Sequence, residues 1–185
     1  MLIKLSINFE TLITLTTFVS NMNYKEGKEK FIQAWGTLGS SWGINKAMAQ
    51  MHALLLISKE PLSAEEVMEQ LQMSRGNVNM NLRALMDWGI VEKVSKIGER
   101  KEFFIADKDV WELARQVSKE RRRREIEPII KVLEQVHAVE GSGTEVEEFK
   151  AVTKELKDFS YKVDGVLEKF VKSDQNWFYK LLMKL

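Results

Sequence analysis

The chain has 185 residues, of which 44% are hydrophobic and 30% charged, and its formal net charge is +1. This composition is typical of a globular protein and excludes a disordered or membrane-embedded chain. The absence of cysteine excludes disulfides, thiol catalysis and cysteine-based metal sites, and it suits a cytoplasmic protein. Helix-forming residues dominate and there are only two prolines, so the chain is predicted to be mainly α-helical.

The first 21 residues form a leader of uncertain status. Ile3, Leu5, Ile7 and Phe9 alternate with polar residues, which is the period of a β-strand. The apolar run that follows is too short and too polar to span a bilayer, and it lacks the small-residue cleavage site of a signal peptide. A cleaner helical pattern begins at Met22, which makes Met22 a candidate for the true start of translation.

Two helices are predicted at the start of the main body. From Tyr24 to Leu38 the apolar residues recur every three or four positions and form one face. The run from Gly39 to Gly43 is rich in helix breakers and predicts a bend, after which the nearly apolar stretch from Ile44 to Ile57 predicts a helix buried on several sides. His52 lies in this helix, and we interpret it as a satisfied core histidine because no further ligand stands at metal spacing.

The segment from Ser63 to Trp88 has the pattern of a helix-turn-helix. Ser63 and Glu66 have the spacing of a capping box at the start of one helix. Ser74 is placed to cap a second helix almost immediately after the first one ends, and helices with so short a joint cross steeply. Gly89 stands where a left-handed residue is expected to end the second helix.

The second helix of this pair carries the side chains predicted to read DNA. Val78, Leu82 and Leu85 share one face, which is predicted to pack on the core. The other faces carry asparagine and arginine, although asparagine is a poor helix former. These side chains can pair with adenine and guanine in the major groove, at roughly 1 to 3 kcal/mol of discrimination per bidentate contact. The predicted DNA-contacting residues are Ser74, Arg75, Asn77, Asn79 and Arg83.

A β-hairpin is predicted directly after this helix. Its strands cover residues 90–97 and 102–105, and its tip is Gly98 to Lys101. An isolated hairpin would be read as an ordinary surface element. After a helix-turn-helix it is a wing, whose basic side chains can enter the minor groove or hold phosphate. The wing residues predicted to contact DNA are Lys96, Arg100 and Lys101.

Beyond the wing, residues 107–138 are predicted to form one long helix that Pro128 kinks. Arg121 to Arg124 lie at its middle, and they allow two interpretations: ion pairs on a helix surface or contacts with phosphate. A flexible link over residues 140–144 precedes a heptad pattern that starts at Phe149. So narrow an apolar seam packs on another helix, either of the same chain or of a second copy.

Four tryptophans lie in the elements expected to surround the joint between the DNA-reading part and the helical extension. Tryptophan faces can hold a quaternary ammonium by cation-π attraction, at roughly 0.5 to 2 kcal/mol per ring. The alternative is that these rings are simply part of the core. The candidate ligand-binding residues are Trp35, Trp42, Trp88 and Trp111.

Several of these motifs together resemble the GbsR branch of the MarR-type winged helix-turn-helix transcriptional regulators. They are the runs Trp42–Ala47, Ser74–Arg83, Trp88–Gly89 and Gly98–Lys101, and the resemblance covers about residues 22–139. It implies a homodimer that binds a palindromic operator, usually as a repressor, and that a small ligand releases in some members. Because the branch includes regulators of glycine betaine synthesis and uptake, the resemblance suggests a choline-like quaternary ammonium as effector.

The sequence therefore predicts a mainly α fold with three parts. These are the leader over residues 1–21, a winged helix-turn-helix DNA-binding domain with a two-stranded wing over 22–106, and a helical dimerisation region over 107–185. The expected partners are operator DNA, a second copy and a small effector, with no membrane and no cofactor. No phosphate loop, catalytic set or metal cluster is recognisable, so an enzyme is not expected. The competing interpretation is a winged helix used only for protein contacts.

Overall fold

Two helices open the part of the chain that the structure, a computed structural model, describes, which is residues 22–173. Helix α1 spans Tyr24–Ser41 and helix α2 spans Lys46–Ile57. Asn45 caps α2, and most of the side chains of α2 are buried, as predicted. The bend lies at Trp42 and Gly43, at the end of the predicted run, because α1 continues through Gly39 to Ser41. The strand period in the leader lies outside the described residues.

The two helices meet at a glycine contact. A Cβ atom on Gly39 would lie only 2.5 Å from the Cβ of Ala49, a separation that real side chains do not reach. Gly39 therefore acts as the residue that lets α1 approach α2, and not as a helix breaker. Sequence reasoning could not see this, because the partner residue lies on another element.

The helix-turn-helix follows as predicted. Helix α3 spans Ala64–Leu71 behind a capping box formed by Ser63 and Glu66. Helix α4 spans Arg75–Asp87. At its start the side chain of Ser74 accepts a hydrogen bond from the backbone amide of Asn77. The core-facing residues Val78, Leu82 and Leu85 are fully buried, and Gly89 has the expected positive φ of 70°.

A small antiparallel sheet follows the two helices. Strands β2 (Val91–Ser95) and β3 (Glu102–Ala106) form the predicted hairpin. A third strand, β1 (Leu62–Ser63), pairs with the other edge of β3, so the order is β1-β3-β2. In this pairing Leu62 lies opposite Phe104. A strand of two residues is too short to show a period in the sequence.

The long helix predicted after the wing is interrupted. Helix α5 spans Val110–Arg121, a π-helical turn spans Arg122–Ile126, and helix α6 spans Glu127–His137. Pro128 lies in the first turn of α6, where its missing N–H costs no helical hydrogen bond. The helix is irregular just before the proline, where the π-helical turn holds one more residue than an α-helical turn would.

The last described helix, α7, spans Thr144–Lys172 and packs on α5 and α6. Arg122 joins α7 through Asp164, with guanidinium to carboxylate distances of 2.6 and 3.0 Å. Trp111 of α5 meets Phe170 of α7 edge to face, with the ring centroids 5.2 Å apart. We call α5, the π turn, α6 and α7 the helical arm. Within residues 22–173 no helix is both long and apolar enough to cross a membrane.

Replacing Gly39 with alanine should lower the free energy of unfolding by about 1 to 3 kcal/mol, because the new methyl group overlaps Ala49 and the helices must separate. Gly27→Ala on the same helix is the control, since a Cβ there meets only the sulfur of Met22 at 3.6 Å. The control should be neutral or gain about 0.5 to 1 kcal/mol in helix propensity. Urea unfolding followed by circular dichroism measures both, and equal midpoints would contradict the glycine contact.

Candidate nucleic-acid interface

The face of α4 that points away from the core carries the side chains predicted to read DNA. Ser74, Arg75, Asn79 and Arg83 are exposed, whereas Asn77 is half-buried. Neither arginine forms an ion pair with another described residue. The structure therefore brings these residues together on one solvent-facing surface, with two cationic groups that are not neutralised by the described part of the chain.

Asn77 is held by a second asparagine that the sequence analysis did not single out. Asn81 is buried, and its side-chain amide donates to the backbone oxygen of Asn77 at 2.9 Å and to the side-chain oxygen of Asn77. The bond from Asn81 fixes the orientation of the Asn77 side chain, both ends of which a bidentate contact with adenine would use. Asn79 is the asparagine on this face whose side chain is fully exposed. The spacing of four between Asn77 and Asn81 is the signal that could have revealed the pair.

The wing divides into an exposed tip and a fixed base. Arg100 and Lys101 at the tip are exposed. At the base, Nζ of Lys96 donates to the carbonyl of Pro61 at 3.3 Å and lies 4.2 Å from the ring centroid of Phe103. Lys96 therefore ties the wing to the segment before β1, and it could contact phosphate only by leaving these partners.

A second candidate site is an apolar cavity of about 270 Å³ between the winged helix and the arm. Its walls come from α1, α2, the end of α4 and α5. Three of the four predicted ligand-site tryptophans line it, namely Trp35, Trp42 and Trp88. Trp111 does not, because its ring lies on the side of α5 that faces α7, against Phe170. Its inclusion in the ligand set is therefore corrected.

His52 is a polar residue in the wall of this cavity. The side chain is only 3% exposed, and its Nε2 atom has no hydrogen-bond partner among the described residues. Burial lowers the pKa of His52 to about 4, so the ring is neutral at pH 7. His52 belongs to the core as predicted, but the expectation that it is satisfied there is wrong. No aspartate or glutamate lines the cavity in the described part of the chain.

The arginine run connects this cavity to the arm. Arg121 donates to the backbone oxygen of Trp42 at 2.6 Å, and the guanidinium of Arg124 lies 5.4 Å from the ring centre of Trp88. Both tryptophans are cavity walls. A displacement of Trp42 would therefore disturb its contact with Arg121 at the end of α5. A displacement of Trp88 would disturb its contact with Arg124 in the π turn.

The same run forms ion pairs, as one of its two sequence interpretations expected. Glu120 is buried and accepts hydrogen bonds from Arg123 and Arg124. The bond from Arg123 is the main cause that holds the pKa of Glu120 below its usual value. A buried carboxylate between two arginines costs less than an isolated one, because its charge is compensated.

Parts of this chain are similar in sequence to known proteins. Residues 42–101 match the model of the MarR family. The HTH-type transcriptional repressor GbsR of Bacillus subtilis (strain 168) is 25% identical over 97 residues, which are 52% of this chain and 53% of that protein, so the match spans about half the length of that relative. These two matches confirm the resemblance that the motifs indicated.

A solved structure described as the crystal structure of a transcriptional regulator has the same fold. Its TM-score to this chain is 0.62 at 17% identity, over 78% of this chain and 95% of the other. The likeness confirms the mainly helical winged-helix architecture.

The neutral state of His52 should make stability depend on pH. In the unfolded chain His52 binds a proton below about pH 6.5, whereas in the folded chain it does so only below about pH 4. The free energy of unfolding therefore falls as pH falls between these values. From about pH 7 to about pH 5 this loss should be roughly 2 kcal/mol. His52→Gln removes it, and urea unfolding of both proteins at the two pH values measures the difference. Parallel pH dependence would contradict the lowered pKa.

Proposed function

We propose that this MarR-type winged-helix protein is a sequence-specific DNA-binding transcriptional regulator that acts as a homodimeric, ligand-responsive repressor. The observation that carries the proposal is the exposed polar face of α4 beside the basic wing tip. Asn79 and Arg83 are exposed on this face, and an exposed asparagine weakens a helix without contributing to the core. The relative with the related sequence is itself named a transcriptional repressor.

The proposed contacts follow from the position of each side chain on α4 and the wing. Ser74 and Arg75 lie at the start of α4, where the helix dipole favours phosphate. Asn79 and Arg83 lie further along the exposed face and are assigned to base edges in the major groove. Arg100 and Lys101 at the wing tip are assigned to the minor groove or its phosphates.

A winged helix used only for protein contacts is the alternative. The core of a protein interface is rich in aromatic side chains and depleted of most charged ones. On the exposed face of α4 the large apolar side chain is Met80, which stands among asparagines and arginines. This chemistry suits a polyanion better than an apolar partner surface. An enzyme is not proposed, and no group of residues within 22–173 could hold a metal ion.

The homodimer is proposed to form through the outer face of α7, which we call the seam. The seam residues are 44 to 64% exposed although they are large and apolar; they are Phe149, Val152, Leu156, Phe159 and Val166. Other residues of α7 pack on α5 and α6. No described helix of the same chain covers the seam, so of the two occupants that the heptad pattern allowed, a second copy is the one we propose.

The charges of α7 favour an antiparallel pair. Its first five residues include Glu145, Glu147 and Glu148 and no basic residue, whereas its last turn carries Lys169 and Lys172. Antiparallel packing about a two-fold axis places the acidic end of one helix opposite the basic end of the other. The seam from Phe149 to Val166 is about 27 Å long at 1.5 Å per residue, which is enough for several layers of contact.

Ligand response is proposed to work by a shift between two conformations. The two reading helices of a dimer must lie about 34 Å apart to enter successive major grooves. Trp88 ends α4 and lines the cavity, so a molecule bound there acts on the element that positions the reading helix. A preference of a few kcal/mol for the misaligned dimer is enough to release DNA.

The double variant Arg83→Gln, Arg100→Gln should lose about 2 to 6 kcal/mol of operator binding and reduce the salt slope of log K by about 1 to 2, because two cationic contacts are removed. The operator is first selected from random duplexes with the purified protein, and fluorescence anisotropy at several salt concentrations gives the slope. Lys25→Gln, Lys131→Gln removes equal charge from exposed positions outside α4, the wing and α7, and should leave binding unchanged. If the arginine variant bound DNA like the control, the DNA-reading assignment would fail.

Leu156→Glu with Phe159→Glu should convert the protein to a monomer, because paired carboxylates in the seam cannot be desolvated. Sedimentation velocity measures the mass, and circular dichroism checks that the helices remain. Ala151→Glu adds one carboxylate at an exposed position of α7 outside the seam and should leave the dimer intact. A dimer that persists in the double variant would place the interface elsewhere.

A further inference from the structure

Met80 lies at the centre of the face of α4 that points away from the core. Successive residues of an α-helix are about 100° apart, so Gly76, Met80 and Arg83 fall within about 60° of arc. This arc is on the side of α4 opposite the buried residues Val78 and Leu82. The side chain of Met80 is 60% exposed and therefore contributes little to the core. A partner that approaches the reading helix directly meets this side chain.

Gly76 leaves the backbone of α4 bare one turn before Met80. The φ of Gly76 is negative, and a Cβ atom added there would meet no neighbouring described element within 4 Å. Neither the backbone conformation nor the packing within residues 22–173 therefore requires glycine, although glycine weakens a helix relative to alanine. A helix without a side chain at this position can bring its backbone close to the floor of a groove. Met80 would then reach further into that groove.

The chemistry of the major groove limits what the side chain of Met80 can recognise there. Base edges in this groove carry hydrogen-bond donors and acceptors, and thymine adds a C5-methyl group. A thioether is at most a weak acceptor. Against a donor or an acceptor it would displace water and leave that group without a good partner, which is unfavourable. Against the methyl group of thymine it buries apolar surface on both sides, which is favourable.

We infer that Met80 is a specificity-determining residue that reads thymine by packing its side chain on the C5-methyl group. The inference rests on the proposed function and names one base of the operator. Arg83 lies three residues further along α4, which is about 4.5 Å at 1.5 Å per residue, and base pairs are stacked about 3.4 Å apart. The thymine should therefore lie within about one or two base pairs of the base that Arg83 contacts. The two-fold symmetry of a dimer repeats the contact in the second half-site.

Deoxyuridine tests the methyl contact directly, because it differs from thymidine only in lacking the C5-methyl group. Each thymine of the selected operator is replaced in turn, in both half-sites, and fluorescence anisotropy gives the affinity. At one thymine position the replacement should weaken binding about fourfold per half-site, which is roughly ten- to twentyfold for the whole operator. Selected half-sites without thymine would overturn the inference. It would also be overturned if every thymine could be replaced without loss of affinity.

Variants of Met80 assign the contact to this side chain. Met80→Ala should bind the thymine operator about tenfold more weakly and should bind the thymine and uracil operators equally well. Met80→Leu keeps an apolar side chain of similar volume and should retain a preference for thymine. Met22→Ala removes a methionine that is 44% exposed outside α4 and the wing, and it should keep the full preference. If Met80→Ala kept the wild-type ratio of the two affinities, the methyl group would be read by another residue and the inference would fail.

Gly76→Ala tests the close approach of α4. The added methyl group would lie between the helix and the groove, so operator binding should weaken at least tenfold, while the urea midpoint should stay the same or rise. Gly27→Ala makes the same change in α1 and should leave binding unchanged. Normal operator binding by Gly76→Ala would overturn the close approach on which the contact with the methyl group depends.

The same measurements distinguish failure of this inference from failure of the proposed function. If binding depends on Arg83 and Arg100 but not on any thymine methyl group, α4 and the wing still bind DNA and the role of Met80 is wrong. If selection returns no preferred duplex, both are overturned. A loss of affinity at one thymine position that Met80→Ala abolishes supports both.

Discussion

The close approach of α1 and α2 at Gly39 and Ala49 is the contact on which the other parts of the molecule depend. It fixes α2 at the centre of the fold, where the helix also packs on α4 and β3. One face of α2 therefore supports the DNA-reading helix, and another contributes His52 to the cavity. A change in the angle between the first two helices would alter both the reading surface and the ligand space, because the same buried helix forms part of each.

The sequence predicted the features that local signals specify. The capping box at Ser63, the cap at Ser74 and the buried face of α4 are all set within a few residues, and the structure has them as expected. The wing strands were also found, because runs containing β-branched and aromatic residues flank a glycine-containing tip. These signals are local since helix caps and turn residues satisfy backbone groups of their own neighbourhood.

What the sequence did not predict depends on contacts between distant elements. The role of Gly39 is decided by Ala49, the short strand β1 exists only as the partner of β3, and the position of Trp111 is decided by Phe170. The sequence likewise does not predict that Nε2 of His52 lacks a hydrogen-bond partner, because it indicates an apolar helix but not what lies beside that helix. The candidate DNA-contacting residues could be named from the sequence, whereas the separation of Lys96 from the exposed tip required the packing at Pro61.

The π-helical turn at Arg122–Ile126 determines how α6 is rotated about its axis relative to α5. A turn of this kind holds one more residue than an α-helical turn, so the helix that follows is rotated relative to the helix before it. Conversion to a regular α-helix by loss of one residue would rotate α6 by about 100° about its axis. The seam on α7, which rests on α6, would then face a different direction from the reading helix. In the dimer proposed here, the spacing of the two DNA-reading helices therefore depends on the one extra residue in the π turn.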